Sequence, residues 1–189
     1  MDFSKKLEGQ NFNILQITMT LATLAYDSTT ELKSELSNTS IATENNWSLV
    51  WGPVDKKSNR VYVVKKKTSN EYAIAIRGTI KNFESMFIDA NSLKLASLPW
   101  NTKSDKMISD GMYDAWNHIY GMMDPETGRR LSDFIKTLAS DSIVFVTGHS
   151  QGACLASVVS LSTFTCSLAT LMPVLLSISC LARSRYASR

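Results

Sequence analysis

Beyond residue 150 the 189-residue chain contains no aspartate, glutamate or histidine, and its only histidines are His118 and His149. Any acid–base chemistry that needs an imidazole has two candidates. Cysteine is scarce too. Cys154, Cys166 and Cys180 are odd in number, and their spacing fits no metal pattern. Their apolar neighbours predict buried free thiols in a reducing compartment. The chain lacks internal repeats, low-complexity tracts and any strongly one-signed charge; its net charge is +3. The one basic run, Lys65-Lys66-Lys67, sits between two strand-like segments without interleaved aromatics. It reads as a solvated hairpin turn, and no nucleic-acid partner is expected. The opening MDFSKKLEGQNFN has no apolar core behind its lysines, so it does not read as a secretory signal, and a cytoplasmic location is expected.

What is present is the composition of a globular domain: 44% hydrophobic, 20% charged and a mean hydropathy of −0.07. Residues 10–27 carry Phe12, Leu15, Met19, Ala22 and Tyr26 at helical spacing, which predicts a first helix. STTELKSELSNTS reads as a polar linker that allows a helical turn. WSLVWG, RVYVVKK and EYAIAIRGT are short, rich in β-branched and aromatic residues, and separated by polar turns, as strands are. In the third, Tyr72, Ile74 and Ile76 alternate with Ala73 and Ala75, which predicts a strand covered on both faces. Phe83, Met86 and Phe87 allow a short helix. GMYDAWNHIYGMM predicts another, with Met112, Ala115, Trp116 and Ile119 on one side. A further helix is expected at about 131–140, from Leu131, Phe134, Ile135 and Leu138. The order of elements is that of an α/β protein with helices flanking a mixed sheet.

The chemistry concentrates in SIVFVTGHSQGACLASVV, residues 142–159. An apolar β-branched run leads into Gly148-His149-Ser150-Gln151-Gly152, and a run of small residues follows. This G-x-S-x-G pattern in a strand-turn-helix setting predicts a nucleophile turn. Serine at the tip needs small neighbours on both sides, and the two glycines supply that room. The helix N-terminus and the Gln151 amide would then face a reacting carbonyl. A second amide donor is needed from a loop after a neighbouring strand, and the glycine of AIAIRGT lets such a loop turn.

Taken together, IAIRGT, DGMYDAW and VTGHSQGACLAS occur in the order that resembles the class 3 (fungal-type) lipase family of the α/β-hydrolase fold. The helix ending LAYDS resembles that family's opening, and the likeness covers about residues 10–160. The resemblance implies Ser150 as nucleophile and Thr79 and Gln151 as oxyanion-hole residues. It implies a structural Arg77, and a His149 packed beside the turn without acting as base. It also implies a serine carboxylic-ester hydrolase acting on acylglycerols or other esters, with no metal or cofactor. A serine peptidase or acyltransferase on the same fold stays open, because the turn does not fix the acyl acceptor. Tyr113 stands where phenylalanine is usual in the family, and Gln151 where leucine is commonest. The histidine often found before the G-F segment is absent, with Ser109 or Asp110 in that region.

The larger departure follows Ser150. In this fold the acid and then the histidine come after the serine in chain order, and residues 151–189 hold neither. The tail LSTFTCSLATLMPVLLSISCLARSRYASR is free of acids and ends in arginines. We expect residues 1–161 to form a partial lipase-like domain. Residues 162–189 are expected to be an aberrant or non-family tail, the product of truncation or a shifted reading frame. The C-terminal part of the fold would then be truncated or replaced, leaving one sheet edge open. The alternative function is a catalytically inactive fragment lacking the triad acid and histidine. An alternative location is membrane association through residues 161–182, an uncharged run of about bilayer length.

Overall fold

A computed structural model describes residues 12–57, 59–78, 95–98, 107–166 and 174–179, with backbone alone for 164–166 and 174–179. Helix α1 spans Ile14–Leu24. Asn13 caps it by accepting from the Gln16 amide while the Gln16 side chain accepts from the Asn13 amide. This reciprocal pair satisfies two otherwise orphaned donors. Leu21, Ala22 and Leu24 are buried, and Leu15 and Met19 face solvent.

The polar stretch expected to be a linker is instead a second helix, α2, over Thr29–Leu36. Ser28 and Glu31 form its capping box, and Leu32 and Leu36 are buried. The S-x-x-E signature and the two leucines four apart were both present in the sequence, but the surrounding polar residues obscured them.

The main sheet has strands β1 (Trp47–Lys56), β2 (Asn59–Lys66), β3 (Glu71–Arg77), β6 (Ile143–His149) and β7 (Val174–Ser179), in that spatial order. β1, β2 and β3 pair antiparallel, and β3, β6 and β7 pair parallel. A separate ribbon joins β4 (Leu95–Ser97) to β5 (Met107–Ser109). Tail residues thus supply a strand: Val174–Ser179 lies beside β6, with Val146 opposite Leu176.

Helices α3 (Asp110–Tyr120), α4 (Leu131–Lys136) and α5 (Gln151–Cys166) complete the described elements. The helix expected at 131–140 is shorter than its apolar periodicity suggested, ending at Lys136 with Thr137 as its cap. The expected helix around Phe83, Met86 and Phe87 lies outside the described residues.

The lysine run is not a hairpin turn as a whole. Lys65 and Lys66 belong to β2, and only Lys67 lies in the turn. Lys66 pairs with Glu71 at 3.1 Å, Lys65 sits over the Tyr72 ring, and Lys67 donates to Asn45 Oδ1.

Two cores sandwich the sheet, as the β3 alternation predicts. On one face Ile74 and Ile76 join Val61, Val63, Val144 and Val146 under Ile119, Leu131, Leu155 and Val159. On the other, Ala73 and Ala75 join Tyr62, Val64 and Phe145 under Leu21, Leu24 and Leu32. The small alanines allow α1 to approach closely. Each fully buried aliphatic side chain contributes about 1.5–3 kcal/mol. Cys154 was expected to be buried, yet it is exposed: it falls on the solvent side of α5, while Leu155 and Ala156 face the core. Among the described residues no helix is long and apolar enough to cross a membrane.

Candidate active site

β6 delivers the chain to Ser150, and α5 begins at the next residue. Ser150 has φ 58°, the left-handed region that a residue with a Cβ avoids. Such a conformation costs about 1–3 kcal/mol and persists only where its surroundings impose it. The surroundings do so through two glycines. A Cβ on Gly148 would run into the backbone of Gly152, lying 2.9 Å from the Ala153 nitrogen and closer still to the Gly152 carbonyl. A Cβ on Gly152 would collide with the Ile76 carbonyl and lie 3.0 Å from the Gly78 nitrogen. The turn therefore folds back on itself and presses directly on the end of β3.

The first turn of α5 is closed by the Ala153 amide donating to the Ser150 carbonyl at 3.0 Å. Ser150 and Gln151 are both half-buried. The Gln151 amide, as first residue of the helix, is one of the donors that an α-helix leaves without an intrahelical acceptor. It lies at the positive end of the helix dipole, where negative charge is stabilised. Gly78, at the exit of β3, is packed on this turn: a Cβ there would be 2.7 Å from the His149 carbonyl oxygen and 3.2 Å from the Gln151 nitrogen. The end of β3 and the serine turn thus meet at one point. Thr79, the other expected oxyanion-hole residue, lies outside the described residues.

Arg77 is buried at the end of β3 and pairs with Asp55 at 3.0 Å. Arg60, directly opposite Arg77 on β2, reaches the same carboxylate at 3.7 Å and donates to Thr29 Oγ1. Like charges facing each other across strands repel, and Asp55 offsets that repulsion. Sequence reading missed Asp55, because only the β1–β2 register aligns it with Arg60. Asp27, near this cluster, has its carboxyl raised above the ordinary value, first by burial and then by Glu31 and Glu35, with Arg60 opposing.

The His149 side chain meets the turn after α1. Its Nδ1 hydrogen-bonds the Tyr26 hydroxyl at 2.9 Å, and the two rings pack edge to face. His118 lies on the last turn of α3. The neighbouring Trp116 donates to Ser162, and Tyr120 bonds Thr163. Those contacts fall twelve residues along α5 from Ser150, about 18 Å at helical rise. The structure thus shows His149 engaged by the Tyr26 hydroxyl, and His118 on a helix whose Trp116 and Tyr120 contact the far end of α5. Tyr113, Ser109 and Asp110 lie at the start of α3, where the Ser109 side chain accepts from the Met112 amide.

A strand, a serine held at positive φ between two close-packed glycines, and a helix pointing its N-terminus at that serine define the nucleophile turn of an α/β-hydrolase. The model of the lipase (class 3) family matches residues 73–176, more than half of the chain. The chain belongs to the class 3 lipase family. Solved structures are similar to it. M37 lipase is 20% identical with a TM-score of 0.67, over 88% of this chain and 57% of its own. The nonglycosylated LIP2 lipase of Yarrowia lipolytica is 20% identical with a TM-score of 0.60, over 84% and 56%. The lipase of Rhizopus microsporus var. chinensis is 12% identical with a TM-score of 0.63, over 95% and 66%. At these identities the likeness establishes the fold. The chain spans less than two thirds of the length of each of these structures. No curated protein sequence matches it.

Proposed function

We propose that this chain carries the nucleophile half of a lipase-like carboxylic-ester hydrolase. The observation that carries the reading is Ser150 at φ 58°, wedged between Gly148 and Gly152 with the Gln151 amide beside it. Ser150 Oγ attacks the ester carbonyl carbon, and the hydroxyl proton passes to a base. The oxyanion is held by the Gln151 amide and a donor from the β3 exit, where the family resemblance puts Thr79. The carbon–oxygen bond to the alcohol breaks and the alcohol leaves with a proton. Water then attacks the acyl-serine, releasing the acid and restoring Ser150. Acylglycerols or other esters are the substrate class the family implies.

A second reading has a specific observation in its favour. His149 is engaged by Tyr26, His118 lies on α3, whose Trp116 and Tyr120 contact the far end of α5, and residues 151–189 hold no acid or histidine. A polypeptide of these residues alone would then be an inactive fragment, its remaining catalysis coming from the oxyanion hole and binding. In keeping with that reading, we propose that the working lipase-like part ends near Leu161. We propose too a cytoplasmic location, the alternative being membrane association through residues 161–182.

Hydrolysis of a short-chain chromogenic ester by this chain and by Ser150→Ala separates the two. Hydrolysis that disappears in Ser150→Ala supports the hydrolase. Equal hydrolysis by both proteins means that no acyl-serine forms, and supports the inactive fragment.

A further inference from the structure

Tyr26 has no place in the chemistry above, yet its hydroxyl lies at the centre of the site. Thr147 Oγ1 donates to the Thr18 carbonyl at 3.1 Å, and so pins α1 across β6. Buried Leu21, Leu24 and Ala25 hold the helix down, and the Tyr26 amide closes the turn after it on the Thr23 carbonyl. The phenol is thereby aimed along β6 towards the serine turn. It hydrogen-bonds His149 Nδ1 at 2.9 Å, with the rings 5.6 Å apart and edge to face. A Cβ built on Gly78 would lie 3.2 Å from the Tyr26 oxygen, 3.2 Å from the Gln151 nitrogen and 2.7 Å from the His149 carbonyl oxygen. One small spot is therefore bounded by the phenol, the residue before the nucleophile, the oxyanion amide after it and the exit of β3.

We propose that Tyr26 is a positioning residue for the oxyanion hole, acting through His149. The inference rests on the ester-hydrolase reading. The turn stores backbone strain at Ser150, and a strained turn relaxes unless its neighbours hold it. His149 is the last residue of β6, so fixing its side chain fixes the direction in which the chain enters Ser150. The Gln151 amide follows by one residue. An oxyanion donor works only if it stays about 3 Å from where the charge develops. A phenol–imidazole bond spans the gap between α1 and β6 at that location, and a phenylalanine would keep the ring packing and lose the hydroxyl.

The test uses Tyr26→Phe in the full chain. The expected result is that the amide resonances of Gln151 and Gly78 move in ¹⁵N spectra. Phosphonylation of Ser150 by a fluorophosphonate is expected to slow about tenfold, the effect of losing one good hydrogen bond at a transition state. Ester hydrolysis should lose kcat and leave KM near its starting value. His149→Asn should cause a similar slowing, and the double variant should be no slower than the slower single. Unmoved amides together with an unchanged labelling rate would overturn the proposal, as would additive losses in the double variant. If the parent is not labelled but the amides move, the anchoring stands and the ester-hydrolase reading fails.

Discussion

The two faces of strand β3 are built for different purposes. One face, Ile74 and Ile76, lies in an apolar core closed by α3, α4 and α5. The other begins as Ala73 and Ala75 against α1 and ends in polar contacts: Arg77 with Asp55, and, on the adjoining strand, His149 with Tyr26. The first face holds its helices by burying aliphatic volume and tolerates small shifts. The second holds single atoms in place by hydrogen bonds and ion pairs, and its polar end is where β3 meets the serine turn. Stability and site geometry are thus carried by opposite sides of one strand, with Gly152 as the point where they touch.

That division can be broken from either side. Ile119→Ala, on the apolar face, should cost about 3–4 kcal/mol in urea denaturation, as large-to-small changes at buried sites do. It should leave the rate of Ser150 labelling in the folded protein unchanged. Slowed labelling would show that the faces are not separable. Gly152→Ala should cost about 3 kcal/mol, because its Cβ meets backbone at the Ile76 carbonyl, which cannot swing aside. Unlike Ile119→Ala, it should also abolish Ser150 labelling under conditions where circular dichroism still reports a folded chain.

On the polar side, Asp55→Asn leaves the Arg60 and Arg77 guanidiniums opposite each other without a shared carboxylate. The carboxylate is 53% exposed, so solvent screens part of the loss, and about 1–2 kcal/mol is expected in the same denaturation experiment. The smallest effect is that of Asp27→Asn. The Asp27 pKa is raised in the folded chain, first by desolvation. Its contribution to stability is therefore fully present below the unfolded value of 3.8 and lost as pH rises through the raised value. At pH 7 the asparagine variant should melt slightly higher than the parent, and the difference should vanish below pH 3.8. A difference of the opposite sign at pH 7 would mean that the charge is favourable to the fold.

Much of this arrangement was legible in the residues. The alternation in AIAI gave a strand covered on both faces, and G-x-S-x-G between an apolar strand and a small-residue helix gave the serine turn. Those are local patterns, with the period of the structure written into neighbouring positions. Helix α2 was missed although its capping box is local, because six of its eight residues are polar and the two buried leucines looked incidental. Asp55 and Tyr26 were not recognised at all as partners of the site. Their roles depend on strand register and on where α1 crosses β6, and neither follows from spacing along the chain. Cys154 shows the same limit: its neighbours in sequence are apolar, yet helical rotation turns it to solvent.

The central claim is that Ser150 sits in a nucleophile turn, with an oxyanion donor beside it. Its most direct test is incubation of the folded chain with a fluorophosphonate, followed by intact mass and peptide mapping. We predict a single adduct on Ser150, absent in Ser150→Ala. No adduct, or an adduct on another residue that persists in Ser150→Ala, would contradict the account.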